Sequence, residues 1–104
     1  MKSKVITPGH CYELANHEGF GTQTIQFIEK KPSDKDDGTL VLVNDGTTNE
    51  EVLAVLIDRL TVLNNNFYCR ENDIALTRLD EALLWLNKRT ADRKARQVEG
   101  KRLP

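Results

Sequence analysis

The chain has 104 residues, 38% hydrophobic and 30% charged, with a formal net charge of -1. That size supports one hydrophobic core in a single domain (1–104), and oligomerisation would add burial a chain this short lacks. No apolar run approaches the ~20 residues that cross a bilayer, so a membrane span is excluded, and the near-neutral total argues against wholesale coating of nucleic acid.

In chain order, "MKSKVITPGHCYEL" has lysines but no apolar h-region or small-residue cleavage site, which reads as no export signal. A brief strand is expected from Cys11 to Leu14, followed by a turn at Gly19 and Gly21. "TQTIQFIEK" alternates, "TLVLV" is a compact β-branched and leucine run, and the polar "KPSDKDDG" lies between them. Residues 22–43 therefore read as a hairpin. Leu40 to Val43 is apolar on both faces, so that strand is expected to be covered on both sides.

A helical part is expected over 47–100, after a β-rich part over 1–46 and before a short tail at 101–104. The turn Asn44-Asp45-Gly46 precedes Thr48 and Glu51, which have the spacing of a capping box. A helix is expected over 49–63, with apolar residues spread widely enough to be buried on two sides. "NNNFYC" then reverses the chain. A second helix runs from Glu71 to Asp73, acids suited to an N-terminus, to about Val98, with Gly100 as its stop. Ala75, Leu76, Leu79, Ala82, Leu83, Leu86 and Thr90 form a seam for antiparallel packing on the first helix. Ile74, Leu84 and Trp85 fall outside it, where neighbouring protomers are expected to pack. The fold class is thus α+β: a small N-terminal antiparallel sheet followed by a long antiparallel helical hairpin, oligomeric.

Charge is unevenly placed. From Lys88 to Arg102 there are seven basic and two acidic residues, a balance of +5 that leaves -6 elsewhere. Trp85, Arg89, Arg93 and Arg96 recur at spacings of four, four and three, so they share one flank of the second helix. Arginine offers a planar fork for phosphate oxygens, and Trp offers a face on which a base can stack. A solvated basic terminus, stabilised by the helix dipole, is an equally good reading of these residues alone. In "NNNFYCREN", Asn72 sits where the second helix opens, near free backbone amides, beside Phe67, Tyr68 and Arg70. There Asn72 is either a ligand contact or a helix cap, and the aromatics either meet a base or plug the hairpin.

Other chemistry finds little support. His10, Cys11, His17 and Cys69 lack the paired spacings of a zinc site, so no metal is expected. Cys11 and Cys69 read as reduced thiols with no bridge. Neither sits in an activating context and glycine-rich phosphate loops are absent, so no catalytic residue, no cofactor and no enzyme activity is expected.

The stretches "DGTTNEEVLAVLIDRL", "FYCRENDIAL" and "EALLWLNKRTADRKARQVEG" closely resemble the phage Thoeris anti-defence family, which shares its helical hairpin domain with anti-CBASS proteins. "YELANHE" and "QTIQFIEK" are similar to that family's N-terminal strands. The resemblance implies a sponge that binds immune cyclic nucleotide messengers, namely glycocyclic ADP-ribose isomers and in some members cyclic di- and trinucleotides, without degrading them. It also implies a homo-oligomer, a hexamer, with pockets shared between protomers, acting in the cytoplasm of a bacterium carrying or infected by phage. Carried over by position, the binding residues are Asn72, Arg89 and Arg93, with Arg70 and Arg96 added by proximity. This chain departs from the pattern at Val62, where some members have an adenine-stacking aromatic, at Tyr68, where Pro is expected, and at Gln97, where Gly is expected. Stacking then falls to Phe67, Tyr68 or Trp85. The alternative is a small nucleic-acid-binding or regulatory phage protein built on the same basic segment, which would bind long DNA or RNA with steep salt dependence.

Overall fold

A computed structural model describes residues 2–35 and 37–96. The described chain divides into two compact units, 2–48 and 49–96, two residues beyond the boundary read from the sequence. No helix among the described residues is long and apolar enough to cross a membrane.

The first unit is all β. Strands β1 (Lys4–Thr7), β2 (Cys11–Ala15) and β3 (Thr22–Gln26) form an antiparallel sheet in the order β1-β2-β3. β4 (Glu29–Pro32) and β5 (Leu40–Asn44) form a separate two-stranded antiparallel sheet. β1 was not expected, because Pro8-Gly9 reads as loop. Gly9 takes a φ of +78° there and lets the His10 N–H donate to Thr7 O at 2.9 Å, closing the β1–β2 turn.

The expected hairpin over 22–43 is corrected in one respect. Its second half is real as β4–β5, but Thr22–Gln26 pairs backwards with β2, Ile25 opposite Tyr12 and Thr24 opposite Glu13. The apolar alternation of "TQTIQFIEK" is continuous, yet hydrogen bonding breaks it at Phe27. The Phe27 N–H donates to His10 O at 2.7 Å, Thr47 N–H to Gln26 O at 2.8 Å, and Ile28 N–H to Thr47 O at 2.9 Å. Residue 47 thus forms a short parallel bridge with Phe27, and the chain leaves one sheet to enter the next. Tyr12 and Phe27 meet edge to face, centroids 6.1 Å apart.

Gly46 makes that bridge possible. A Cβ there would lie 2.7 Å from the Phe27 carbonyl carbon and 2.8 Å from that of Gln26, and closer still to the Gln26 oxygen. The obstruction is backbone and cannot rotate away. Leu40–Val43 is not covered on both sides: Val41, Leu42 and Val43 all remain exposed in this chain. Two short sheets offer too little surface to bury both faces of one strand.

The second unit is a helical hairpin of α1 (Asn49–Asn66) and α2 (Arg70–Ala95). α1 begins directly after Thr48, as expected, and runs three residues further than expected. α2 ends at Ala95; the expected end near Val98 and the stop at Gly100 lie outside the described residues. Two side-chain bonds fix the antiparallel arrangement. Asn64 Nδ2 donates to Asp73 Oδ1 at 3.0 Å at the turn end, and Thr90 Oγ1 donates to Glu50 Oε1 at 3.3 Å at the open end. Val52, Leu53, Ile57 and Leu60 of α1 are half-buried, as are Ala75, Leu76, Leu79, Leu83, Leu86 and Thr90 of α2. The expected seam is therefore present except at Ala82, which is exposed.

Burial of α1 on two sides is not observed. Val55 is 65% exposed and Val62 52%, with Leu56 and Leu63 also exposed. A helix with one partner helix has one covered stripe, and the wide apolar arc of α1 exceeds it.

Replacing Gly46 with Ala is expected to destabilise the protein by about 1–3 kcal/mol, the usual cost of forcing an extra methyl into a filled site. Chemical denaturation of the G46A variant measures it.

Candidate functional site

The turn between the helices is built from three residues and locked by side chains. Cys69 is the N-cap of α2, with extended backbone (φ -145°, ψ 151°), and its Sγ accepts from Asn72 N–H at 3.4 Å. Asn72 is thus not the cap, and the capping alternative for its side chain falls away: it stands three residues further in, half-buried. Asn64 reaches across the turn, accepting from Cys69 N–H at 3.1 Å through Oδ1 while Nδ2 binds Asp73. An asparagine inside a helix thus works as a turn brace, which is why α1 does not stop at Leu63.

Phe67 and Tyr68 do not plug the hairpin. Phe67 is 87% exposed and Tyr68 70%. The Tyr68 hydroxyl hydrogen-bonds to the Asp73 carboxylate, and that bond, with the negative charge of Asp73, raises the phenol's pKa above its ordinary value. The described turn therefore presents two aromatic rings and Arg70 to solvent, beside Asn72, with Tyr68 tethered at its hydroxyl end.

At the other end of α2, Trp85, Lys88, Arg89, Asp92, Arg93 and Arg96 line an open cavity of about 510 Å³. Helical periodicity alone projects Trp85, Arg89, Arg93 and Arg96 together, and the structure brings them into one groove as expected. Lys88 and Asp92 were not singled out from the sequence. They join through an ion pair, Lys88 Nζ to Asp92 Oδ2 at 2.8 Å with i,i+4 spacing, a pattern a helical wheel reveals. Arg93 is only 9% exposed, the one buried charged residue among those described, and neither it nor Arg96 is a free group. Burial restricts the Arg93 side chain to few conformations. Arg89 is exposed.

The candidate residues fall into two clusters. Asn72 and Arg93 are 21 positions apart on one continuous helix, a separation of ~31 Å along the axis at 1.5 Å per residue. Asn72, Phe67, Tyr68 and Arg70 stand at the turn end, and Trp85, Arg89, Arg93 and Arg96 at the open end. One hairpin does not place both sets on one small ligand. Cys11 is buried, Cys69 half-buried, and both thiols are free.

The second unit is thus a two-helix hairpin with an arginine face at one end and an aromatic turn at the other. The chain belongs to the Acb2/Tad1 hairpin domain family, whose model matches residues 23–91. It is 55% identical over 56 residues to "Thoeris anti-defense 1" of Bacillus phage SBSphiJ7, across 53% of this chain. The match spans 39% of that relative's length. The family is therefore one of anti-Thoeris anti-defence proteins, and the matched region takes in α1, the turn and most of α2.

Two measurements check the turn. Cys69→Ala is expected to cost about 0.5–2 kcal/mol of stability through loss of the cap, with Cys69→Ser retaining most of it, since serine accepts the same bond. With Tyr12 replaced by Phe, phenolate absorbance titrates Tyr68 alone. Its midpoint is expected above the ordinary value of about 10, and Asp73→Asn is expected to bring it back down. Because the fold favours the protonated phenol, this contribution is complete below about pH 10 and is lost as pH rises through the raised value.

Proposed function

We propose that the protein is a sponge: it binds the cyclic nucleotide messengers of bacterial immunity, glycocyclic ADP-ribose isomers first among them, and holds them without degrading them. The observation that carries this reading is the groove where Trp85, Arg89, Arg93 and Arg96 converge. Planar guanidinium forks match the two oxygens of a phosphate, and several on one rod match a compact diphosphate. Membership of the anti-Thoeris family supports the ligand class.

The separation of the two clusters supports a shared site. Asn72 and the turn aromatics reach a messenger bound at Arg89 and Arg93 only if they come from a second copy lying antiparallel, which sets the turn of one hairpin beside the open end of another. The exposed apolar face of α1, with Val55, Leu56, Val62 and Leu63, is the surface on which such copies pack, and Ile74, 42% exposed, adds to it. A homo-oligomer, a hexamer on family grounds, follows from this reading. Binding then requires no covalent step, and the effector is deprived of its activator by stoichiometry.

Incubation with glycocyclic ADP-ribose, removal of free ligand, heat release and mass analysis test the reading. The messenger is expected to emerge intact in a fixed ratio to protein. Arg89→Ala and Arg93→Ala are each expected to weaken binding by ~10- to 100-fold, the usual range for deleting a hydrogen-bonded charge. Recovery of cleaved ligand would replace the sponge with an enzyme, and salt-sensitive binding to long DNA in place of the messenger would move the protein to nucleic-acid binding.

A further inference from the structure

A second cavity adjoins the arginine groove. Of about 360 Å³, it is lined among the described residues by Glu81, Leu84, Trp85 and Lys88. These are positions i, i+3, i+4 and i+7 of one helix, four neighbours of the kind that form the hole in knobs-into-holes packing, and such a hole takes a side chain from a facing helix. α1 is not that helix, because its seam with α2 runs through half-buried Leu79, Leu83 and Leu86 on the opposite flank. Leu84 is 69% exposed and Trp85 70%. A leucine and an indole left this open in mid-helix mark a surface made for contact.

The charges around the hole show which helix fits. Arg78, Glu81, Trp85, Lys88 and Asp92 recur at spacings of three and four, so they form one exposed stripe of α2. Along the helix the stripe runs positive, negative, apolar, positive, negative. Its two ion pairs, Arg78–Glu81 at 3.1 Å and Lys88–Asp92 at 2.8 Å, lie on either side of Leu84 and Trp85. Glu81 and Lys88 are equally far from the midpoint of those two residues, and the distances of Arg78 and Asp92 from it differ by one residue, a rise of ~1.5 Å. A second copy of α2 laid parallel and level would face each charge with its like. Laid antiparallel about that midpoint, it faces each charge with its opposite.

We infer that α2 pairs antiparallel with α2 of a second copy, about a two-fold axis at Leu84 and Trp85, and that this pairing carries the partner's Arg78 to the arginine groove. The contact is isologous, each copy giving and receiving the same groups. Glu81 meets the partner's Lys88, Asp92 meets the partner's Arg78, and the partner's Trp85 enters the hole. All four charged side chains are more than half exposed, so they turn from a partner on their own helix to one across the axis without any change in the hairpin. Asp92 also lines the groove with Arg89, Arg93 and Arg96. An acid among those arginines weakens a lone groove's hold on an anion, whereas an acid that seats the partner's Arg78 adds a guanidinium to its edge. The pairing stands on the helix surface alone and is distinct from the exposed face of α1; the role of Arg78 in the groove rests on the sponge reading.

Disulfide trapping and charge reversal test the axis. Under mild oxidation, Leu84→Cys is expected to cross-link into covalent dimers, while the unaltered chain, with Cys11 buried and Cys69 half-buried, does not. Adding Glu81→Lys should cut the yield by about tenfold, since like charges then face each other, and adding Lys88→Glu as well should restore it. The double reversal breaks both ion pairs within the helix, so restoration comes only from charges facing across the axis. Trp85 is the only tryptophan in the chain; its emission should be blue-shifted in the assembled protein and move to the red in Glu81→Lys. Circular dichroism checks that each variant folds. Absent cross-links with red emission, or cross-links indifferent to the reversals, would overturn the pairing. For the groove, Arg78→Ala is expected to weaken binding of glycocyclic ADP-ribose by about 3- to 10-fold, and an unchanged affinity would remove Arg78 from it. Messenger captured without cross-linking ends the pairing and leaves the sponge reading intact; cross-linking without capture does the reverse.

Discussion

Two antiparallel helices share one seam, and a residue off that seam finds no cover in its own hairpin. In α2 the seam takes Leu76, Leu79, Leu83 and Leu86. The next stripe round the same helix holds Trp85, Arg89, Arg93 and Arg96. Because α2 is 26 residues long, it carries that stripe as a straight support, with spacing set by backbone hydrogen bonds rather than by a loop. The geometry of the groove is thus a by-product of how the hairpin packs. Loss of the seam would scatter the arginines, of which Arg93, three positions after Thr90, is itself buried.

The arginine stripe has an internal cost. Like charges at i,i+4 destabilise a helix by roughly 0.2–0.5 kcal/mol per pair, and Arg89 with Arg93 is such a pair. Two features offset this. The basic residues lie toward the C-terminal end of α2, where the helix dipole favours positive charge, and Asp92 sits among them, paired with Lys88. Neither feature explains why Arg93 is buried to 9% exposure, since a charge that served only solubility would stay in water. Arg93 borders the seam three positions after Thr90 and is not a free group, so its ordering and partial dehydration are already present in the lone hairpin.

The helices were legible in the sequence because their signals are local. The start of α1 after Thr48, the leucine seam of α2 and the Trp–Arg stripe all follow from periods of three and four. Sheet pairing was not legible in the same way. "TQTIQFIEK" alternates throughout, but alternation says which face a residue takes and not which strand it meets. The choice is made by Gly46 and Thr47, some twenty residues later in the chain, which enter beside Gln26 and Phe27. The turn defeats local signals for a related reason. Asparagines favour a helix stop, but Asn64 braces the turn from inside α1, and the cap is Cys69, a residue seldom counted among N-caps. The separation of Asn72 from Arg93, in contrast, needed only the rise of an α-helix once α2 was known to be unbroken.

Sequestration sets different demands on such a site from catalysis. An enzyme must bind a transition state better than its substrate; a sponge gains from ground-state affinity and slow release alone, and differences in affinity among related complexes lie mostly in the release rate. On the proposed function, a stiff helix with one arginine already ordered by burial reduces the entropy lost on capture. If a second copy supplies Asn72 and the turn aromatics, release must also open a protein–protein contact, so the exposed face of α1 would contribute to ligand retention without touching the ligand. On this reading, the apolar surface that makes the lone hairpin look unfinished and the charge that makes its end look overloaded serve the same purpose: the first assembles the pocket and the second fills it.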